Sequence, residues 1–88
     1  MGWYFLKILS LESYVALRIT NLLIRHNKTR YALCKEIAMP EQTLKNIIDE
    51  RNSDIKLSTI AKIAEGFNLS LEEFFADSIF DKSTLDID

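Results

Sequence analysis

Residues Thr29 to Ile47, TRYALCKEIAMPEQTLKNI, decide the fold. They read as two short helices joined by a tight turn. Leu33 and Ile37 give the first of them an apolar face, and Met39 sits in the joint. Pro40 fits the first turn of the next helix, where its missing N–H costs nothing. Leu44, Ile47 and Ile48 then recur at helical spacing as a buried stripe. The opposite side carries Glu41, Gln42, Thr43, Lys45 and Asn46, with no apolar residue among them.

A helix with one apolar side and one side of amide, hydroxyl and charged groups suits insertion into the DNA major groove. An ordinary helical hairpin with a solvated face has the same spacing, so spacing alone leaves the two readings level. The flanks continue the helical pattern. From about Glu12 to His26, Val15, Ile19, Leu22, Leu23 and His26 share one face. Leu17 and Ile24, seven apart, form a second, narrower stripe that calls for a cover or tolerates exposure. Asn27 and Lys28 break the pattern, and Thr29 is the expected N-cap of a helix over Arg30–Ile37. Ala38 and Met39 form the turn, and the helix from Pro40 is expected to reach about Glu50. After the polar loop 51–56, Ser58 is expected to cap a fourth helix that turns Ile60, Ile63, Ala64 and Phe67 inward. Asn68 suits a left-handed stop. Ser70-Leu71-Glu72-Glu73 is a capping box, opening a fifth helix with Leu71, Phe74, Phe75 and Ile79 toward the core.

Composition narrows the classes. Eighty-eight residues support one core, and two glycines and one proline favour an all-α domain. Residues 1–56 carry nine Lys/Arg against six Asp/Glu, a net of +3, whereas residues 57–88 carry two against seven, a net of −5. The acidity thus lies behind the hairpin, although purely electrostatic binding of nucleic acid should be weak. One cysteine, Cys34, precludes an internal disulfide and suits a reducing compartment. With one histidine, His26, there are too few ligands for a usual zinc site, so no metal is expected. No run approaches the ~20 apolar residues of a membrane span. The opening MGWYFLKILS lacks the basic start and small-residue cleavage site of a secretory signal, so export is not expected. It reads as an extended apolar arm. The His and the Cys fall on different helices with no third group beside them, so neither catalytic residues nor a cofactor are expected.

Four blocks in register, TRYALCKE, MPEQTLKNII, LSTIAKIAEGFNLS and LEEFF, resemble the phage-repressor and Cro-like helix-turn-helix regulators, often called Xre-type. The resemblance covers about Ile19 to Phe75. It implies an all-α, compact five-helix repressor-like DNA-binding domain with the helix-turn-helix at helices 2–3. The organisation is then an apolar arm over 1–11, the DNA-binding domain over 12–80 and an acidic tail over 81–88. It also implies a cytoplasmic regulator of bacterial or phage origin, binding an operator in double-stranded DNA. Three positions depart from the family pattern. Ala38 stands where the turn often holds glycine, and Asp49-Glu50-Arg51 stands where the reading helix commonly ends near glycine. Leu23 and Ile48 stand where phage members often carry a buried Arg–Glu pair, an apolar replacement that is often neutral or stabilising.

By the same resemblance, base contacts fall on Glu41, Gln42, Lys45 and Asn46, with Thr43 touching base or phosphate. The chemistry agrees: Gln and Asn pair with adenine, Lys donates to guanine and Glu accepts from cytosine N4. Thr29 and Arg30 are the phosphate candidates at the start of the supporting helix, where N–H groups and the positive dipole end favour an anion. Arg51, Asn52, Ser53 and Lys56 are candidates for flanking phosphates. For each, a solvated surface role is the alternative; Glu41 and Lys45, four apart, could simply pair. Tyr31 either packs beside the supporting helix or touches phosphate. One domain reads few base pairs, so a homodimer is expected, through the fifth helix with Ile79 and Phe80 or through Trp3, Tyr4, Phe5 and Leu6 with Leu17 and Ile24. The rival reading is a protein-interaction module, or an antitoxin-like regulator that adds a protein partner on its acidic side.

Overall fold

The computed structural model describes residues 11–51 and 54–77. These residues form five helices: α1 (Leu11–Arg25), α2 (Arg30–Ile37), α3 (Glu41–Ile48), α4 (Leu57–Gly66) and α5 (Leu71–Phe74). No strand occurs among them. The arm over 1–10, Asn52, Ser53, Ile79, Phe80 and the tail lie outside the described residues.

The core follows the helical stripes. Val15, Ile19, Leu22 and Leu23 of α1 meet Leu33, Cys34 and Ile37 of α2, Leu44 and Ile47 of α3, Ile60, Ile63 and Ala64 of α4, and Phe67 and Phe74. Burying side chains of this size contributes about 1.5–3 kcal/mol each. Leu23 lies in this core and Ile48 packs against it, so the two apolar departures fit the interior. His26 lies just past the end of α1 and is exposed, its ring 5.1 Å from that of Phe67. It is therefore a flank of the core and not part of its inward face.

The helix ends show how short connections are made almost without glycine. Asn27, Ala38, Glu50 and Asn68 all take left-handed backbone, with φ of 51°, 53°, 58° and 61°. In each case the next N–H reaches back to a carbonyl in the last turn: Lys28 to Leu23, Met39 to Cys34, Arg51 to Asn46 and Leu69 to Ala64. This is the Schellman closure, which satisfies carbonyls that the helix leaves open. The turn of the hairpin thus keeps its left-handed shape with alanine in place. An Ala38→Gly variant should gain roughly 0.5–1 kcal/mol, since glycine meets no Cβ penalty there; a higher urea midpoint is the readout.

Gly66 is the opposite case. A Cβ on it would lie 2.5 Å from Leu33 Cδ1 and 2.7 Å from Ile37 Cγ2. Both are core side chains of α2, so α2 and α4 approach this closely only because Gly66 has no side chain. Gly66→Ala should cost about 1–3 kcal/mol by overpacking, even though alanine is the better helix former. Thermal unfolding would show it.

Four boundaries differ from the expectation, the first being Pro40, which is the N-cap before α3 and not part of its first turn. α3 stops at Ile48, because Glu50 turns left-handed and Asp49 becomes the cap. α4 starts at Leu57 with Lys56 as N-cap, not Ser58. The Lys56 carbonyl already accepts from Thr59 and Ile60, so the first turn closes two residues early. α5 is only one turn long, with Phe74 as its buried residue and Leu71 and Phe75 packed beside the core. Thr29 and the Ser70–Glu73 capping box occur as expected.

Two cations hold the elements together through contacts that the sequence reading did not include. Lys28 Nζ donates to the Gly66 carbonyl at 3.0 Å and pairs with Glu36 at 2.6 Å, closing the end of α4. Arg18, 6% exposed, does the same for α5: Nε donates to Phe74 O at 2.8 Å and Nη2 to Glu73 O at 3.1 Å. Its Nη1 pairs with Asp77 at 3.1 Å. No helix among the described residues is long and apolar enough to cross a membrane.

Candidate nucleic-acid interface

The hairpin is built by apolar residues and leaves its polar residues outside. Leu33 and Ile37 anchor α2, Leu44 and Ile47 anchor α3, and Met39 plugs the joint between them. With Leu44 and Ile47 facing in, the 3.6-residue period turns Glu41, Gln42 and Lys45 outward, all exposed, with Asn46 and Thr43 half-buried at the margins. Pro40, as N-cap with ψ of 138°, sets the entry angle of α3 and contributes no side-chain cap.

The candidate residues divide into groups. Arg30, Glu41, Gln42 and Lys45 line one shallow concavity, so the start of α2 and the outer side of α3 form a continuous surface. Thr43 lies on a second groove, shared with the turn residues 38–40 and with Ser58, Thr59 and Lys62 of α4. Thr29 Oγ1 accepts from the Ala32 N–H at 3.0 Å as cap of α2, and its hydroxyl proton remains available to an acceptor. Arg51 and Lys56 are exposed on either side of the α3–α4 loop. Asn52 and Ser53 fall outside the described residues.

Two internal pairs hold the outer side of α3. Gln42 Nε2 donates to Asn46 Oδ1 at 2.8 Å, and Lys45 Nζ pairs with Asp49 Oδ2 at 2.9 Å. The Lys45 partner is therefore Asp49 and not Glu41, which shares the concavity with Arg30. The i,i+4 spacing of Lys45 and Asp49 was readable, but Glu41 offers the same spacing on the other side. Both pairs lie in solvent, where water screens them, so exchanging them for another partner costs little.

The Lys45 hydrogen bond holds the Asp49 carboxyl below its ordinary value; desolvation opposes it, and the charges of Lys45, Arg51 and Arg30 add to the lowering. A depressed folded value means that this pair supports the fold in full above the unfolded carboxylate value of about 3.9. The support is lost as pH falls through the folded value. In a Lys45→Ala variant the Asp49 titration, followed by carboxyl NMR, should move up toward the ordinary value. Burial, with Glu41 adding and Arg30 opposing, pushes the Cys34 thiol up, consistent with a core thiol and not a reactive one.

Among the exposed residues at the start of α2, on α3 and in the loop after it, Arg30, Lys45, Arg51 and Lys56 are balanced by Glu41, Asp49, Glu50 and Asp54, a net charge of zero. Such a face attracts an anionic polymer only weakly in bulk and depends on particular contacts. No group of His, Cys, Asp or Glu among the described residues is arranged to hold a metal ion. The site offers hydrogen-bond donors and acceptors on a convex helix, not a cleft.

Comparison with curated proteins and with solved structures gives no match. A family profile described as a Cro/C1-type HTH DNA-binding domain matches residues 18–78. That stretch takes in most of α1 and all of α2 to α5. The hairpin geometry and the profile agree, and the chain belongs to the Cro/C1-type helix-turn-helix DNA-binding domain family.

Proposed function

We propose that this chain is a small, repressor-type transcriptional regulator that binds a specific sequence in double-stranded DNA by laying α3 in the major groove. In this reading Glu41, Gln42, Lys45 and Asn46 meet base edges, and Thr43 meets base or phosphate. Thr29 and Arg30 hold the phosphates on one side, and Arg51, Asn52, Ser53 and Lys56 those on the other. Residues 12–80 form the DNA-binding unit between an apolar arm and an acidic tail, and the protein works in the cytoplasm as a homodimer. The observation that carries the reading is the open polar side of α3, continuous with Arg30. Leu17 and Ile24, the latter 73% exposed, support pairing through α1, since both are apolar residues left in solvent seven positions apart.

The balanced charge of the face favours one second reading, a member of the fold that has turned to a protein partner. Selection from a random duplex library at two salt concentrations separates them. A DNA reader enriches a motif with half-sites about one helical turn (~34 Å) apart, and its affinity falls steeply with salt. A protein-interaction module enriches nothing.

A further inference from the structure

We propose that Tyr31 and Lys35 form a second backbone-binding patch, gripping DNA phosphates that lie outside the half-site read by α3. This rests on the DNA-binding reading above and extends the surface assigned there. Tyr31 is 59% exposed, so it does not serve the core as a packing residue beside α2. Lys35 follows four residues later, on the same side of the helix, and is exposed. The two line a shallow concavity with Met39 and Glu41. Glu41 also lines the concavity that holds Arg30, Gln42 and Lys45. It therefore stands between two surfaces, one toward the rest of α3 and one toward Tyr31 and Lys35. As Glu41 is the first residue of α3, the Tyr31–Lys35 side continues the reading face beyond the helix start, where a bound duplex runs on past the bases that α3 reaches.

The chemistry of the patch suits a phosphate. Two acids neighbour the patch: Glu36 is engaged by Lys28 at 2.6 Å, and Glu41 lines the same concavity, where its charge opposes a phosphate unless it turns to the base edge assigned to it above. An ammonium and a phenolic hydroxyl one helical turn apart offer a charge and a directed donor, and the tyrosine ring can lie against the sugar. Tyr31 and Lys35 line a different concavity from Gln42 and Lys45, so the patch adds affinity without adding sequence preference.

The experiment measures full-length chain, Lys35→Gln and Tyr31→Phe on two duplexes carrying the selected site. One duplex ends at the outer base pair of the motif, and the other runs ten base pairs further on each side. On the long duplex Lys35→Gln should bind about five- to tenfold more weakly near 0.1 M salt, with the slope of log affinity against log salt reduced by about one. Tyr31→Phe should lose about threefold, as expected of one modest hydrogen bond. On the short duplex both variants should match the parent. Unchanged affinity of both variants on the long duplex overturns the patch, as does an equal loss on both duplexes. If the parent itself binds neither, the DNA-binding reading fails instead.

Discussion

Replacing Arg18 by alanine is expected to remove about 3 kcal/mol of folding stability, read as a lower urea midpoint with an unchanged slope. The reason is the length of α5. A one-turn helix leaves its last carbonyls without partners, and here two of them accept from one buried guanidinium. The same group neutralises Asp77 and lies 5.8 Å from the Phe74 ring centroid. Removing one partner of a buried ionic cluster costs about 3–5 kcal/mol, and here the Phe74 carbonyl, the buried acceptor of the three, loses its guanidinium donor. The lower end applies, since the Asp77 side chain is 17% exposed and water can reach it. Arg18→Lys should recover only part of the loss: it keeps the charge but lacks the planar fork that serves three acceptors. With a total stability of about 5–15 kcal/mol for domains of this kind, the alanine variant would melt many degrees lower.

Replacing Gln42 and Lys45 together by alanine is expected to weaken binding to the selected duplex by about 2–6 kcal/mol, a loss of roughly 30-fold or more. Each good base contact is worth about 1–3 kcal/mol of discrimination. Gln42 and Lys45 have separate partners in the free protein, Asn46 and Asp49, but they line one concavity, so their losses should couple and not simply add. Binding to unrelated duplexes should fall far less, since most phosphate contacts remain. The fold should survive, as both side chains are exposed and their pairs are screened by solvent. Equal losses on specific and unrelated DNA would reassign both residues to the phosphate backbone.

Local signals made most of the fold legible. Thr29 as cap, the extent of α2, the Ser70–Glu73 box and the left-handed Asn68 each depend on residues within one turn of one another, which a sequence displays directly. Glu50 shows the limit. Glutamate carries no preference for left-handed backbone, so nothing in its identity shortens α3; the Schellman bonds from Glu50 and Arg51 do. Ser58 is a good cap by identity, yet Lys56 takes the place because the first turn closes on its carbonyl. Arg18 and Lys28 went unread for a different reason. Their carbonyl acceptors lie 38 to 56 residues away, and only folding brings a last-turn carbonyl to a first-helix guanidinium. On the candidate site, the period of α3 made the outward set readable, while the choice of Asp49 over Glu41 for Lys45 was not, since both lie four residues from it.

The account turns on whether the outer side of α3 touches nucleotide edges. Titration of the isotope-labelled chain with its selected duplex, followed by NMR, tests this residue by residue. The side-chain amides of Gln42 and Asn46, the Lys45 ammonium and the backbone amides of 41–46 should shift together with Arg30, at the concentration where the duplex saturates. A duplex that binds while these signals keep their free-state positions would contradict it.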